Sequence, residues 1–192
     1  MKKLLFIINP KAGVKKNKHF VDDALEIFEK AGYKVGVKYT KKRADGTRIA
    51  RDYGAKADLI VCMGGDGTLN EVMQGMLEGE ISTPLGYIPA GSTNDFANSL
   101  GLRTNPKDQA EFIMETEAKS LDLGWFNGRY FVYTASAGIF TETSYSTPQE
   151  LKNKLGHFAY ILHGIREVFK IRRLKLRIET EDEVYENKYI FV

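Results

Sequence analysis

Cysteine occurs once in the 192 residues, at Cys62. A single thiol builds no internal disulfide framework and fits a reducing compartment. Its place in the apolar run Leu59–Met63 predicts a small core side chain rather than a nucleophile. Long hydrophobic runs are missing as well. None exceeds five residues, and Met1-Lys2-Lys3 followed by Leu4–Ile8 is too short for a signal peptide, so the sequence predicts a cytosolic protein. There is little net charge, +3. Near-neutrality argues against nucleic-acid binding, as does the lack of clustered stacking aromatics in the one basic segment. Two familiar nucleotide motifs are also missing: no Gly-Lys-Ser/Thr follows a glycine loop, and the glycine spacing is not that of a dinucleotide fingerprint. No internal repeat or low-complexity tract occurs. What remains is globular in composition, 43% hydrophobic and 28% charged, with room for one ample domain or for one domain and part of a second.

The most informative stretch is Asp58–Leu77. Leu59–Met63 has the length and β-branched centre of a parallel strand buried on both faces. It stops at Gly64-Gly65-Asp66-Gly67. From Thr68 onward, Leu69, Val72, Met73 and Met76 recur at helical spacing, so the glycines are expected to form the turn between a buried strand and a helix start. Such a turn suits phosphate: glycine lets backbone approach closely, and the unpaired N–H groups and dipole of a helix start favour an anion. The same pattern also serves as a tight connection in an ordinary α/β domain. Asp66 weighs toward chemistry, because a carboxylate beside phosphate repels it unless Mg²⁺ or a proton transfer intervenes.

The rest of the first 120 residues alternates strand and helix. Leu4–Ile8 reads as a strand ending in a second phosphate-sized loop, Asn9-Pro10-Lys11-Ala12-Gly13. A helix through Phe20, Ala24, Leu25, Phe28 and Ala31 stops at Gly32, and a strand through Val35, Val37 and Tyr39 ends at Thr40. Ala44–Tyr53 is predicted helical. Leu85–Ile88 is a short strand closed by Pro89-Ala90-Gly91-Ser92-Thr93-Asn94-Asp95, followed by helices through Phe96–Leu100 and Pro106–Met114. Small or polar loops thus gather at the C-terminal ends of the strands, where open parallel sheets bind ligands. Near Ser120 the pattern changes to hairpins. Leu121–Phe126 and Arg129–Thr134 flank Asn127-Gly128, a strong two-residue turn signal. A helix is expected over Leu155–Phe169, then a second hairpin in which Leu174, Leu176 and Ile178 alternate with Arg173, Lys175 and Arg177 before Val184–Val192.

Together, NPKAG at 9–13, GGDGTLNEV at 64–72 and PAGSTNDFA at 89–97 resemble the lipid-kinase family of bacterial diacylglycerol kinases, related to the sphingosine and ceramide kinases. The resemblance implies Mg²⁺-dependent transfer of the γ-phosphoryl group of ATP to a lipid hydroxyl, such as that of diacylglycerol. It also implies an N-terminal doubly wound α/β nucleotide-binding domain, here residues 1–120, followed by part of a mostly antiparallel β-sandwich on the lipid side, residues 121–192. Asn9, Pro10, Lys11, Ala12 and Gly13, then Thr40, fall on its ATP-binding positions. So do Gly65, Asp66, Gly67, Thr68, Leu69, Asn70 and Glu71, and, in the third loop, Thr93; Gly64, Gly91, Ser92, Asn94 and Asp95 beside them are further candidate nucleotide contacts. Asp66 matches the base that takes the lipid hydroxyl proton in the sphingosine-kinase branch. In bacterial diacylglycerol kinases that role goes to an aspartate further downstream than this chain runs. No metal ligand is assigned.

Two other readings stay open. NAD kinases and phosphofructokinases resemble the same GGDGT loop, which would make the acceptor soluble, and a nucleotide-binding or membrane-surface module without turnover fits a chain ending in the uncapped strand Ile190–Val192. That open edge predicts a shortened chain that pairs with another copy. The segment Leu151–Ile178 carries eight Lys or Arg against one acid. It is expected either to touch the anionic inner leaflet peripherally or to be the solvated face of a strand.

Overall fold

A computed structural model of the chain describes residues 1–12, 19–103, 105–136, 173–180 and 182–192. Four parallel strands form its central sheet in the order β2-β1-β3-β4, where β1 is Lys2–Ile8, β2 Tyr33–Tyr39, β3 Leu59–Gly64 and β4 Leu85–Pro89. Phe6 lies opposite Val37 on one side and Val61 on the other. Every residue of β3 is buried, as the continuous apolar run requires. Side chains alternate between two cores. Leu4, Phe6, Ile8, Val61, Met63 and Ile88 pack with α1 (His19–Lys30) and α5 (Pro106–Glu115), whose Ala24, Phe28 and Ala110 are fully buried. Leu5, Ile7, Ile60, Cys62 and Tyr87 pack on the opposite face with α2 (Asp45–Tyr53), α3 (Asp66–Glu78) and α4 (Asp95–Ser99). The sheet is therefore covered on both sides, the doubly wound arrangement. Cys62 is fully buried, and burial pushes its thiol pKa far up, which leaves it an unreactive core side chain.

Two helix starts differ from expectation. α3 begins at Asp66 rather than Thr68, so Asp66 and Gly67 occupy its first turn, where an acid complements the dipole. α2 begins at Asp45, with Ala44 outside it in the left-handed region at φ 65°. The two helices cross closely through Gly75. A Cβ there would stand 2.1 Å from the Thr47 carbonyl oxygen, so only glycine admits this approach.

The first compact unit runs from Met1 to Thr134. It includes the first hairpin, β5 (Gly124–Phe126) and β6 (Arg129–Phe131), which is shorter than the alternation suggested because Leu121 and Tyr133 are exposed. Asn127 and Gly128 both have positive φ, as the two-residue turn requires. The Tyr130 N–H donates to Gln74 Oε1 of α3 (3.1 Å), and Val132 packs against the α2–α3 core.

Ala135–Val192 is a second compact unit. Its described part is the antiparallel pair β7 (Leu174–Glu179) and β8 (Val184–Tyr189). Leu174 is exposed and Leu176 and Ile178 are half-buried, less covered than core residues would be. Lys175 pairs with Glu186 across the hairpin and Arg177 with Glu179, so both β7 cations are already compensated. The helix expected over Leu155–Phe169, and most of the basic segment, lie outside the described residues.

Gly75→Ala is expected to destabilise the protein by about 3 kcal/mol, the upper range for overpacking. An ordinary helix-interior glycine would instead gain about 1 kcal/mol on this change. A thermal melt with a raised midpoint would show that α2 and α3 can separate freely.

Candidate functional site

Four loops meet at the C-terminal edge of the sheet. Neighbouring strands β1 and β3 send their chains to opposite faces, α1 to one and α3 to the other, which leaves a crevice between them. Asn9 spans this crevice. Its N–H donates to the Met63 carbonyl (2.9 Å), and its Nδ2 donates to Thr68 Oγ1 in the first turn of α3 (2.9 Å). Its Oδ1 accepts the Lys11 N–H (3.0 Å), turning the loop back on itself. The Thr68 hydroxyl is thereby an internal tie, and Thr68 is buried.

The loops after β3 and β4 touch backbone to backbone. A Cβ on Gly65 would lie 3.2 Å from Gly91 Cα, and one on Gly91 would lie 2.7 Å from Gly65 Cα. The Ala90 N–H donates to the Gly64 carbonyl (2.7 Å), which also accepts the buried Tyr87 hydroxyl (3.2 Å). Burial, then Asp66 and Cys62, hold the Tyr87 phenol pKa well above its usual value, so it stays a neutral donor. Asn94, in the left-handed region at φ 53°, closes its own loop. Its Oδ1 accepts the Gly91 N–H (2.8 Å) and its Nδ2 donates to the Gly91 carbonyl (3.0 Å).

Asp66 links the same two loops through its side chain. Oδ2 accepts the Asp95 N–H (3.0 Å) and Oδ1 the Phe96 N–H (3.3 Å), so Asp66 caps the short helix α4 from a neighbouring element. Each carboxylate oxygen keeps a further lone-pair direction, so a second acceptor role is not used up. Glu71 does the equivalent for α2. Its Oε1 accepts the Ala44 N–H (2.9 Å) and its Oε2 the Gly46 N–H (3.1 Å), so its side chain is committed to holding a loop. Thr40, whose N–H donates to the Ile8 carbonyl (2.9 Å), is buried at the start of that β2–α2 loop. Asp45 completes the scaffold by accepting the Lys41 and Lys42 N–H groups (2.8 and 3.2 Å). The Lys41 amide first, then the Lys42 amide and Arg48, hold the Asp45 carboxyl below its ordinary pKa.

The expected site residues therefore divide by role. Pro10, Lys11, Gly67, Ser92, Thr93 and Asp95 are exposed at the edge, while Asn9, Ala12, Gly65, Asp66, Asn70, Gly91 and Asn94 are half-buried among them. Gly64 and Thr68 are buried, and the Leu69 side chain belongs to the core. Gly13 lies outside the described residues. The N–H groups of Thr68 and Leu69 both return to the Gly65 carbonyl (2.9 and 3.1 Å), whereas those of Asp66 and Gly67 precede any intrahelical acceptor and no side chain caps this helix start. Among the described residues a Cβ on Gly67 would meet nothing within 4 Å. An anion thus has donors, the helix dipole and open space at one point. Among the described residues no group of three His, Cys, Asp or Glu is arranged to hold a metal ion. Sequence reasoning overlooked Tyr87 and Asp45. A tyrosine in an apolar strand carries no signal for the Gly64 carbonyl twenty-three residues away, whereas Asp45 holds amides only four and three residues before it, a local pattern that an aspartate at a helix start can signal.

The profile of the family described as "Diacylglycerol kinase catalytic domain" matches residues 3–126. The chain is 37% identical over 188 residues to the diacylglycerol kinase of Staphylococcus saprophyticus, an alignment covering 97% of this chain and 62% of that protein. It is 35% identical over 190 residues to that of Bacillus subtilis, covering 98% and 63%. The crystal structure of a diacylglycerol kinase from Bacillus anthracis superposes with a TM-score of 0.77 at 30% identity, covering 99% of this chain and 62% of that one. The chain thus spans slightly under two thirds of the length of these relatives.

Asp66→Ala removes the acceptor for two α4 amides and is expected to cost about 1–2 kcal/mol, as lost helix caps do. Hydrogen exchange should accelerate at the Asp95 and Phe96 amides in particular. Unchanged exchange at both would mean that the cap contributes nothing.

Proposed function

The chain belongs to the family of diacylglycerol kinase catalytic domains, and from that premise we propose that it binds ATP and serves transfer of the γ-phosphoryl group to a lipid hydroxyl such as that of diacylglycerol. The observation that carries this reading is the conjunction at Gly67. Helix-start amides of α3 lack a side-chain cap, and among the described residues no atom lies within 4 Å of where a Gly67 Cβ would stand, beside a loop locked against this one through Gly65 and Gly91. Phosphoryl transfer asks for positioning and for stabilisation of charge on the transferred group more than for covalent work, and a rigid edge of backbone donors supplies both.

In this reading Asn9–Gly13, Thr40, Gly64–Glu71 and Gly91–Asp95 make up the nucleotide edge, several of them as scaffold rather than as direct contacts. Asn9, Asp66 and Asn94 hold the loops in register, and Glu71 and Asp45 hold the Thr40 loop. Residues 1–120 form the nucleotide-binding part, and residues 121–192 belong to the lipid side. Mg²⁺ commonly takes one or two carboxylates and completes its shell with substrate phosphates and water, a demand that the single half-buried carboxylate of Asp66 at this edge would fit. When bound, the metal would neutralise charge on the phosphates. The lone-pair directions left on Asp66 suit it to accept the lipid hydroxyl proton as the lipid oxygen bonds to phosphorus and ADP departs.

A lipid acceptor requires contact with a bilayer surface, which in this reading is the cytoplasmic face. Among the described residues no helix is long and apolar enough to cross a membrane, so the proposed contact is peripheral. The pairing of Lys175 and Arg177 with acids on their own hairpin favours the solvated-face reading of β7.

Binding and turnover are separate measurements for a chain of this length. Calorimetry should show Mg-ATP binding to the intact chain, and Gly67→Ala should weaken it by about tenfold or more, because the methyl group enters the space left for phosphate. The melting temperature should stay near that of the parent. No ATP binding by the folded chain would remove the kinase reading. Where labelled phosphate is transferred from ATP into diacylglycerol-containing vesicles, Asp66→Asn should lower kcat by about 10²–10⁴, the range for losing a positioned proton acceptor. An unchanged rate would leave Asp66 with its capping role alone.

A further inference from the structure

A phenylalanine or a branched aliphatic residue would fill the place of Tyr87 in β4 without burying a polar group, yet the chain carries a tyrosine there, only 6% exposed. Its hydroxyl donates to the Gly64 carbonyl (3.2 Å), which already accepts the Ala90 N–H (2.7 Å) in continuation of the β3–β4 ladder. The second donor is therefore not needed to satisfy the acceptor. It fixes the direction of the Gly64–Gly65 peptide. We propose that Tyr87 is a positioning residue for phosphate binding, holding this peptide so that the Gly65 N–H is aimed into the crevice between β1 and β3.

The direction follows from the planarity of the peptide. In a trans peptide the C=O of one residue and the N–H of the next point opposite ways. Both donors to the Gly64 carbonyl come from the β4 side, Tyr87 from the strand itself and Ala90 from the residue after it. β3 lies between β1 and β4, so the Gly65 N–H points toward β1, where Asn9 spans the crevice. Among the described residues that N–H has no protein acceptor, while the Gly65 carbonyl is turned into α3 by the Thr68 and Leu69 amides. The next amides in the chain, Asp66 and Gly67, precede any intrahelical acceptor. Successive backbone donors from Gly65 to Gly67 thus stand at the phosphate turn, and Tyr87 sets the first of them.

Tyr87 is itself held firmly. It lies opposite Cys62 in the ladder, and its hydroxyl reaches two residues further along the same face of β3. Its carbonyl accepts Nε2 of Gln109 (3.0 Å), a buried side chain of α5. Its ring lies against Phe96 of α4, with centroids 6.5 Å apart, and the Phe96 N–H is one of the two amides that Asp66 caps. One side chain therefore supports both the phosphate turn, through its hydroxyl, and the helix that Asp66 caps, through its ring. A tyrosine so fixed loses little freedom when a ligand binds, and donors oriented in advance need no reorganisation around its charge.

The proposal rests on the reading of this edge as a nucleotide site, so Mg-ATP, tripolyphosphate and adenosine serve as separate probes of the intact chain. In the parent, both phosphate-bearing probes should shift the Gly65 amide resonance in NMR titrations. Tyr87→Phe removes one oxygen and keeps the ring. It should weaken Mg-ATP and tripolyphosphate by about three- to tenfold, the fold-change that one hydrogen bond of ordinary net strength represents, and leave the response to adenosine as in the parent. Ile60→Val trims the same core without touching the turn, and controls for lost stability: it should lower the melting temperature yet bind all three probes as the parent does. Parent-like affinity of Tyr87→Phe for both phosphate-bearing probes would overturn the positioning role and leave the nucleotide site in place. So would an equal weakening of adenosine, or a Tyr87→Phe chain that no longer melts cooperatively, since either makes the hydroxyl a requirement of the fold. A Gly65 amide that neither phosphate-bearing probe moves would overturn it in the parent alone. A folded parent that binds neither of them would remove the nucleotide reading as well.

Discussion

The approach of two backbones, at Gly65 and Gly91, is the constraint on which the C-terminal edge of this protein depends. With a Cβ at either position the loops after β3 and β4 would have to separate. The remaining ties presuppose their contact. The Ala90 N–H reaches the Gly64 carbonyl, Asp66 reaches the first amides of α4, and Asn94 folds its loop over Gly91. Once the two strands deliver their loops together, these hydrogen bonds are made between groups already in place, so little further entropy is lost in making them.

Carboxylates in this domain act mainly as fasteners between elements. Asp66 on α3 caps α4, Glu71 on α3 holds the loop before α2, and Asp45 holds that same loop from the other end. Asp58 likewise accepts the Lys3 N–H at the start of β1. A carboxylate that accepts backbone amides places its charge without a cationic partner. An acid in a phosphate-sized turn is accounted for structurally: the Asp66 carboxylate is directed to the Asp95 and Phe96 amides of the neighbouring loop. Positioning and proton acceptance are compatible roles for one side chain, because the amide bonds fix the orientation that a proton acceptor needs.

The four strands of the central sheet, the five α-helices and the Asn127-Gly128 turn of the described residues were legible in the sequence because each rests on local chemistry. The apolar run Leu59–Met63, the helical spacing of Phe20, Ala24 and Phe28, and glycine or proline at element ends report structure within a few residues of themselves. The three loop motifs also announced the family, since their residue types and order are the signal. Element ends were read less well. α3 starts two residues earlier than periodicity suggested, because the helix can include glycine and aspartate where apolar spacing says nothing.

What the sequence by itself determined is thus the order of elements, the two-faced sheet and the edge on which the small loops collect. Only the tertiary structure decided which side chain at that edge serves which purpose. Glu71 and Leu69 fall within one loop motif, yet Glu71 holds α2 twenty-five residues upstream and Leu69 fills the core. The role of Tyr87 left no trace in spacing or composition. Its partner is the Gly64 carbonyl of the neighbouring strand, twenty-three residues upstream, and such a long-range pairing exists only after the strands have come together in the sheet.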